Sequence, residues 1–102
     1  MTVRILANGA GRALGKLADA ELHFDAQDGP LSGLRLVGFG IWQRRSRGAA
    51  RVTFPARSYS LGGQQRTFAL LRPIAETADR GVDDRLREVI LEAFEKLQET
   101  AV

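Results

Sequence analysis

Eight arginines fall between Asp28 and Glu76, a stretch that holds no acidic residue: Arg35, Arg44, Arg45, Arg47, Arg51, Arg57, Arg66 and Arg72. A guanidinium group is a planar, permanently charged fork of donors, well matched to phosphate oxygens and to base edges. Arg44, Arg45 and Arg47 crowd into six residues directly after Trp42, and Tyr59 follows Arg57 at a spacing of two. Arginines interleaved with aromatics suit single-stranded nucleic acid, because charges track the backbone while rings stack on bases. This pattern nominates Arg44, Arg45, Arg47, Arg51, Arg57, Trp42 and Tyr59 as a nucleic-acid-binding set, with Arg66 and Arg72 as weaker members. The competing reading is plainer. The arginines solvate the outer face of a small sheet, and Trp42 belongs to the core or to a dimer interface.

Other chemistry is thinly represented. Asp19 and Glu21 are the one carboxylate pair on a strand face, and their alternation places them on the wet side, where neither is desolvated for acid–base work. His23 is the single histidine and shares that face, so it offers neither a metal site nor a triad. Ser46, Ser58 and Ser60 are read as loop residues with nothing to activate them. There is no cysteine, which removes disulfides, thiolate metal sites and a cysteine nucleophile. The glycines from Gly9 to Gly15 do not match a dinucleotide-binding spacing, and a strand follows where that motif needs a helix. They are read as a turn. The expectation is a binding protein and not an enzyme, with no cofactor, no metal and no small-molecule substrate.

The elements that must carry these residues are legible from periodicity. Val3 to Ala7 reads as a first strand. Leu17 to Phe24 alternates, with Ala18, Ala20, Leu22 and Phe24 facing one way and Asp19, Glu21 and His23 the other, as in a half-buried strand. Asp25 to Pro30 is read as a turn in which Asp28-Gly29 favours a hairpin connection. The run Leu34 to Trp42 is a strand expected to kink at Gly38 and Gly40. Arg51 to Phe54 is another strand, ended by Pro55, which has no donor for a ladder. Ser58 to Gly63 is read as a polar loop, and Thr67 to Leu71 as the last strand. Val82, Leu86, Val89, Ile90, Ala93, Phe94 and Leu97 fall on one helical stripe, with acids Asp83 and Asp84 at its positive end.

Strands followed by one helix predict a single α+β domain over residues 1–102. It consists of a four- to five-stranded antiparallel sheet with a C-terminal amphipathic helix on one face. Hydrophobic residues are 44% and charged residues 26%, a globular composition and not a disordered one. No apolar run is long enough for a signal peptide or a membrane span, so the chain is read as soluble, cytoplasmic and without a membrane partner. The net charge of +3 hides a dipolar layout, a basic middle against a C-terminal segment rich in Asp and Glu.

Several stretches are similar to the SpoVG (stage V sporulation protein G) septation-regulator family. Leu34-Arg35-Leu36-Val37-Gly38 resembles a family strand end, and Val52-Thr53-Phe54-Pro55-Ala56-Arg57 resembles its Val-Ala-Met-Pro-Ser-Arg/Lys. Phe68-Ala69-Leu70-Leu71-Arg72-Pro73-Ile74 resembles its Phe-x-Asp-Ile-Ala-His-Pro-Ile, and Leu91-Glu92-Ala93-Phe94-Glu95 its closing helix. The order and spacing agree over about residues 17 to 98, with Ala20 to Asp25 at the family's strand ending in Phe-Asp. The chain departs from the family in extra residues between Gly40 and Ala50, in an acidic helix, and in Arg72 where the family has histidine. The resemblance implies an α+β fold, a homodimer and a DNA- or RNA-binding regulator. The alternative function is a protein-interaction module whose basic surface meets an acidic protein partner, even the acidic helix of a second copy.

Overall fold

The alternating residues 17–24 form the central ladder of an α+β domain in the computed structural model, which describes residues 1–7, 15–43, 50–74 and 81–100. Strand β2 (Lys16–His23) lies between β1 (Thr2–Ala7) and β3 (Arg35–Trp42), and β4 (Arg51–Thr53) pairs with the far edge of β3. Every pairing is antiparallel. The period-two reading holds: Ala18, Ala20 and Leu22 are buried, while Asp19, Glu21 and His23 are partly exposed. Ala20 sits in register between Ile5 of β1 and Phe39 of β3, and Ala18 beside Ile41. Small residues between large ones leave a trough for side chains from a covering layer.

That layer is α1 (Val82–Thr100), whose Ile90 and Phe94 are buried in one cluster with Ala18, Ala20, Leu22, Phe39, Ile41 and Val52. Asp83 and Asp84 stand in its first turn, as the helix dipole favours. The helix is also tied down at its N-terminal end. The Arg87 guanidinium lies 4.6 Å from the centre of the Phe54 ring and bonds Asp84 at 3.1 Å, and Phe54 meets Phe39 edge-on at 5.3 Å. Among the described residues no helix is long and apolar enough to cross a membrane.

The kink expected in β3 is a bulge. The pairing steps from Leu22↔Leu36 to Ala20↔Phe39, so Glu21 alone opposes both Val37 and Gly38. Gly38 has φ +107°, and a side chain there would meet Pro55 with Cβ atoms 2.9 Å apart. Two independent constraints thus require glycine at that position.

Two segments differ from the sequence reading. The connection from β2 to β3 is not a tight Asp-Gly turn; it contains a 3₁₀ segment, Ala26–Leu31, capped by Asp25. Asp25 accepts from the Gln27 N–H while Asp28 accepts from the Asp25 N–H, a reciprocal pair that competes with a two-residue turn. The Met1 ammonium lies 3.0 Å from both carboxylates. Its hydrogen bond, followed by that of the Gln27 N–H, holds the Asp25 carboxyl below its ordinary range.

The second difference concerns Ser58–Gly63, which is not a loop. Beyond Pro55 the chain leaves the main sheet and forms β5 (Ala56–Leu61), paired only with β6 (Gln64–Ala69) as a separate two-stranded ribbon. Gly62 (φ +59°) and Gly63 (φ +82°) make the two-residue turn, whose positive φ values match the twist of the flanking strands. The Leu70 N–H donates to the Pro55 carbonyl at 2.9 Å and extends the ladder to its base. Every residue of both strands is exposed. The molecule is accordingly elongated, 49 Å along its longest axis with a radius of gyration of 15.3 Å. A compact chain of this length would have a radius of gyration of about 13 Å.

Candidate nucleic-acid interface

Pairing register decides which of the candidate residues share a surface. On β5 and β6, Arg57 opposes Phe68, Tyr59 opposes Arg66, and Leu61 opposes Gln64. Side chains alternate between faces along each strand, and opposed pairs share a face. One face of the ribbon therefore carries Arg57, Tyr59, Leu61, Gln64, Arg66 and Phe68. The other carries Ala56, Ser58, Ser60, Gln65, Thr67 and Ala69. The first face is a checkerboard in which the aromatics occupy one diagonal and the arginines the other. Tyr59 and Phe68 meet edge to face, ring centres 5.7 Å apart and planes at 66°. They stay 39% and 41% exposed, so the ring pair is not covered from above.

A second group lies on the solvent face of the four-stranded sheet. Lys16, Trp42 and Arg51 form one cross-strand row over β2, β3 and β4. The Trp42 indole folds back over Gly40, and its Nε1–H donates to Thr53 Oγ1 at 2.8 Å. A Cβ on Gly40 would lie 2.7 Å from that nitrogen, so the glycine is the seat of the indole. The Lys16 ammonium stands 5.7 Å from the indole centre and also pairs with Asp19. Trp42 is thus half-buried, with its donor used within the sheet. It is a less accessible stacking surface than Tyr59.

Electrostatics separate the arginines from the rest of the molecule. The two carboxylates on the solvent face of β2 are engaged: Asp19 by Lys16, and Glu21 by His23 at 2.9 Å and Arg35 at 3.4 Å. Among the described residues no carboxylate pairs with Arg51, Arg57 or Arg66. The last makes only a long contact, 3.5 Å, with Gln64 on its own strand. Exposed guanidinium groups without a counter-charge leave an uncompensated positive field.

The nominated set is thereby divided. Arg57, Tyr59 and Arg66 come together on the ribbon, while Trp42 and Arg51 lie on the main sheet. Arg72 is exposed in the segment after the ribbon and belongs to neither strand. Arg44, Arg45 and Arg47 lie outside the described residues, as does the turn read at Gly9 to Gly15 except for Gly15 itself. Phe68 was not among the nominated residues. The signal was present in Gly62-Gly63: a two-residue glycine turn fixes a register that places Phe68 beside Arg57 and Tyr59. Among the described residues no cluster of His, Asp or Glu has the arrangement of a metal site.

Comparison with family models, with curated proteins and with solved structures finds no match to this chain.

Proposed function

We propose that the chain is a non-enzymatic, nucleic-acid-binding regulatory protein of SpoVG-like kind, cytoplasmic and homodimeric, acting through an arginine surface. The observation that carries this reading is that Arg51, Arg57 and Arg66 are exposed and unpaired by any described carboxylate, in a stretch without acids. Phosphate contacts by such groups release condensed counterions, so binding must weaken steeply with salt. The resemblance of Leu34–Gly38, Val52–Arg57 and Phe68–Ile74 to the septation-regulator family supports the same class.

Fluorescence anisotropy of labelled DNA and RNA, titrated with the protein at two salt concentrations, tests it. The expected result is binding at low salt whose logarithm falls linearly with the logarithm of salt, by about 0.7 per phosphate contacted on a single strand. Absence of binding to every probe at low salt contradicts the reading. It would favour the second one, an acidic protein partner, to which the acids of α1 on another copy give concrete form: Asp84, Glu88, Glu92 and Glu95 are exposed on this helix.

A further inference from the structure

The ribbon β5–β6 poses a physical problem that the rest of the fold does not. An isolated two-stranded hairpin is marginal in water, and this one is exposed on both faces with, among the described residues, no other element packed closely on it. Its checkerboard face presents Tyr59, Phe68 and Leu61, the last 60% exposed, between two arginines that pair with no carboxylate among the described residues. Exposed apolar side chains grouped on one face, as Tyr59, Leu61 and Phe68 are, are a feature of interaction surfaces rather than of scattered exposure.

We propose that this face of the ribbon is a stacking platform for single-stranded nucleic acid, with Tyr59 and Phe68 taking bases and Arg57 and Arg66 holding the phosphates beside them. The inference rests on the nucleic-acid reading above and narrows it to one surface and one ligand class.

Three observations select that occupant. First, the only formal charges on the ribbon are Arg57 and Arg66, so the surface is complementary to an anion. Second, the planes of Tyr59 and Phe68 stand at 66°. Bases of a duplex are parallel and stacked, so they cannot lie flat on both rings at once. A single strand can splay two successive bases to meet both. Third, the residue spacing fits a strand. Arg57 and Tyr59 are two residues apart, about 6.6 Å along an extended backbone, and the opposing strand lies about 4.8 Å away. Charge and ring thus alternate at the scale of one nucleotide in both directions.

Self-packing of this face on a second copy is disfavoured by the same charges. Whichever way two copies turn, a two-fold contact would bury all four guanidinium groups in one interface, with no acid on the face to receive them. Unpaired guanidinium groups buried in that way are costly.

The test uses the full chain and three anisotropy probes: an oligothymidylate about 12 nucleotides long, an abasic strand of equal length, and a duplex. The wild type is expected to bind oligothymidylate more tightly than either of the others. Tyr59→Ala with Phe68→Ala is expected to weaken oligothymidylate binding by about tenfold for each ring lost. The slope against salt stays unchanged, because no phosphate contact is removed. The preference over the abasic strand disappears with the rings, and Phe68→Tyr retains it. Phe68→Tyr keeps the ring contact with Tyr59 and so separates loss of stacking from loss of the ribbon, while the core under α1 is untouched by either change.

Steep salt dependence with equal affinity for all three probes, unaltered in the double variant, overturns the platform and leaves the broader reading standing. No binding to any probe at low salt overturns both. A double variant that turns a dimer into a monomer by light scattering, with oligothymidylate affinity kept, also overturns the platform and assigns the face to contact between copies.

Discussion

Ile90→Ala lowers the stability of the domain by about 2–5 kcal/mol, the range for deleting a buried aliphatic side chain and leaving its cavity. Ile90 has no exposed surface, and among the described residues of α1 it and Phe94 are the two that are buried in the core. The core of the four-stranded sheet is built partly from alanines, which cannot expand to fill the space that Ile90 leaves. The expected loss is a large share of the stability of a domain this size, which lies at about 5–15 kcal/mol. Val89→Ala is the control. Val89 is adjacent in sequence but 43% exposed, and surface changes of this kind stay within about 0.5 kcal/mol. Urea unfolding followed by circular dichroism should give a lower midpoint for Ile90→Ala at unchanged slope, and a near-native midpoint for Val89→Ala. Equal effects at the two positions would show that α1 does not cover the sheet through the Ile90 side.

Arg57→Ala combined with Arg66→Ala removes both charges from the ribbon and is expected to weaken single-stranded binding by about tenfold or more for each arginine at low salt. The salt slope should also fall, by about 0.7 for each phosphate no longer contacted. This is the reverse of the pattern expected for the aromatic pair, where affinity drops and the slope does not. Both arginines are exposed and make no ion pair among the described residues, so their replacement leaves the fold intact. Anisotropy across a salt series reads both quantities at once. A double variant with wild-type affinity and slope would move the binding surface away from the ribbon, toward Arg51 or the arginines of residues 44–47.

Much of this architecture is written in patterns that a single sequence exposes. The alternation of Ala18, Ala20 and Leu22 against Asp19, Glu21 and His23 needs one wet face, and the sheet supplies it. The helical stripe from Val82 to Leu97 is long and uninterrupted by glycine or proline, and α1 spans it, although Val82, Val89 and Leu97 are exposed and only Ile90 and Phe94 of the stripe are buried. Of the two glycines of β3 expected to kink it, Gly38 lies at the bulge, whereas Gly40 pairs in register with Asp19 and Thr53. The ribbon was harder to see because hydrophobic alternation marks a strand only when one of its faces is buried. Neither face of β5 or β6 is buried, so Ser58, Ser60, Gln64 and Gln65 look like loop residues. The Asp25–Leu31 segment departs from a tight turn for another reason: Asp28-Gly29 is a turn signal, but Asp25 supplies a helix cap three residues earlier, and the cap prevails.

The same distinction governs the site. Composition located the arginines and two of the aromatics, since charge needs no partner to be counted. It did not reveal that Trp42 is folded onto Gly40 and bonded to Thr53, or that Phe68 stands beside Tyr59. Those facts depend on register, which passes through a bulge in one case and a glycine turn in the other.

The most direct test of nucleic-acid binding at this surface is a two-dimensional amide NMR titration of the protein with a short oligothymidylate at low salt. Shifts are expected to concentrate on β5 and β6, at Arg57, Tyr59, Arg66 and Phe68, with the amides of α1 unmoved. Shifts confined to α1, or none anywhere at saturating strand, would contradict the account.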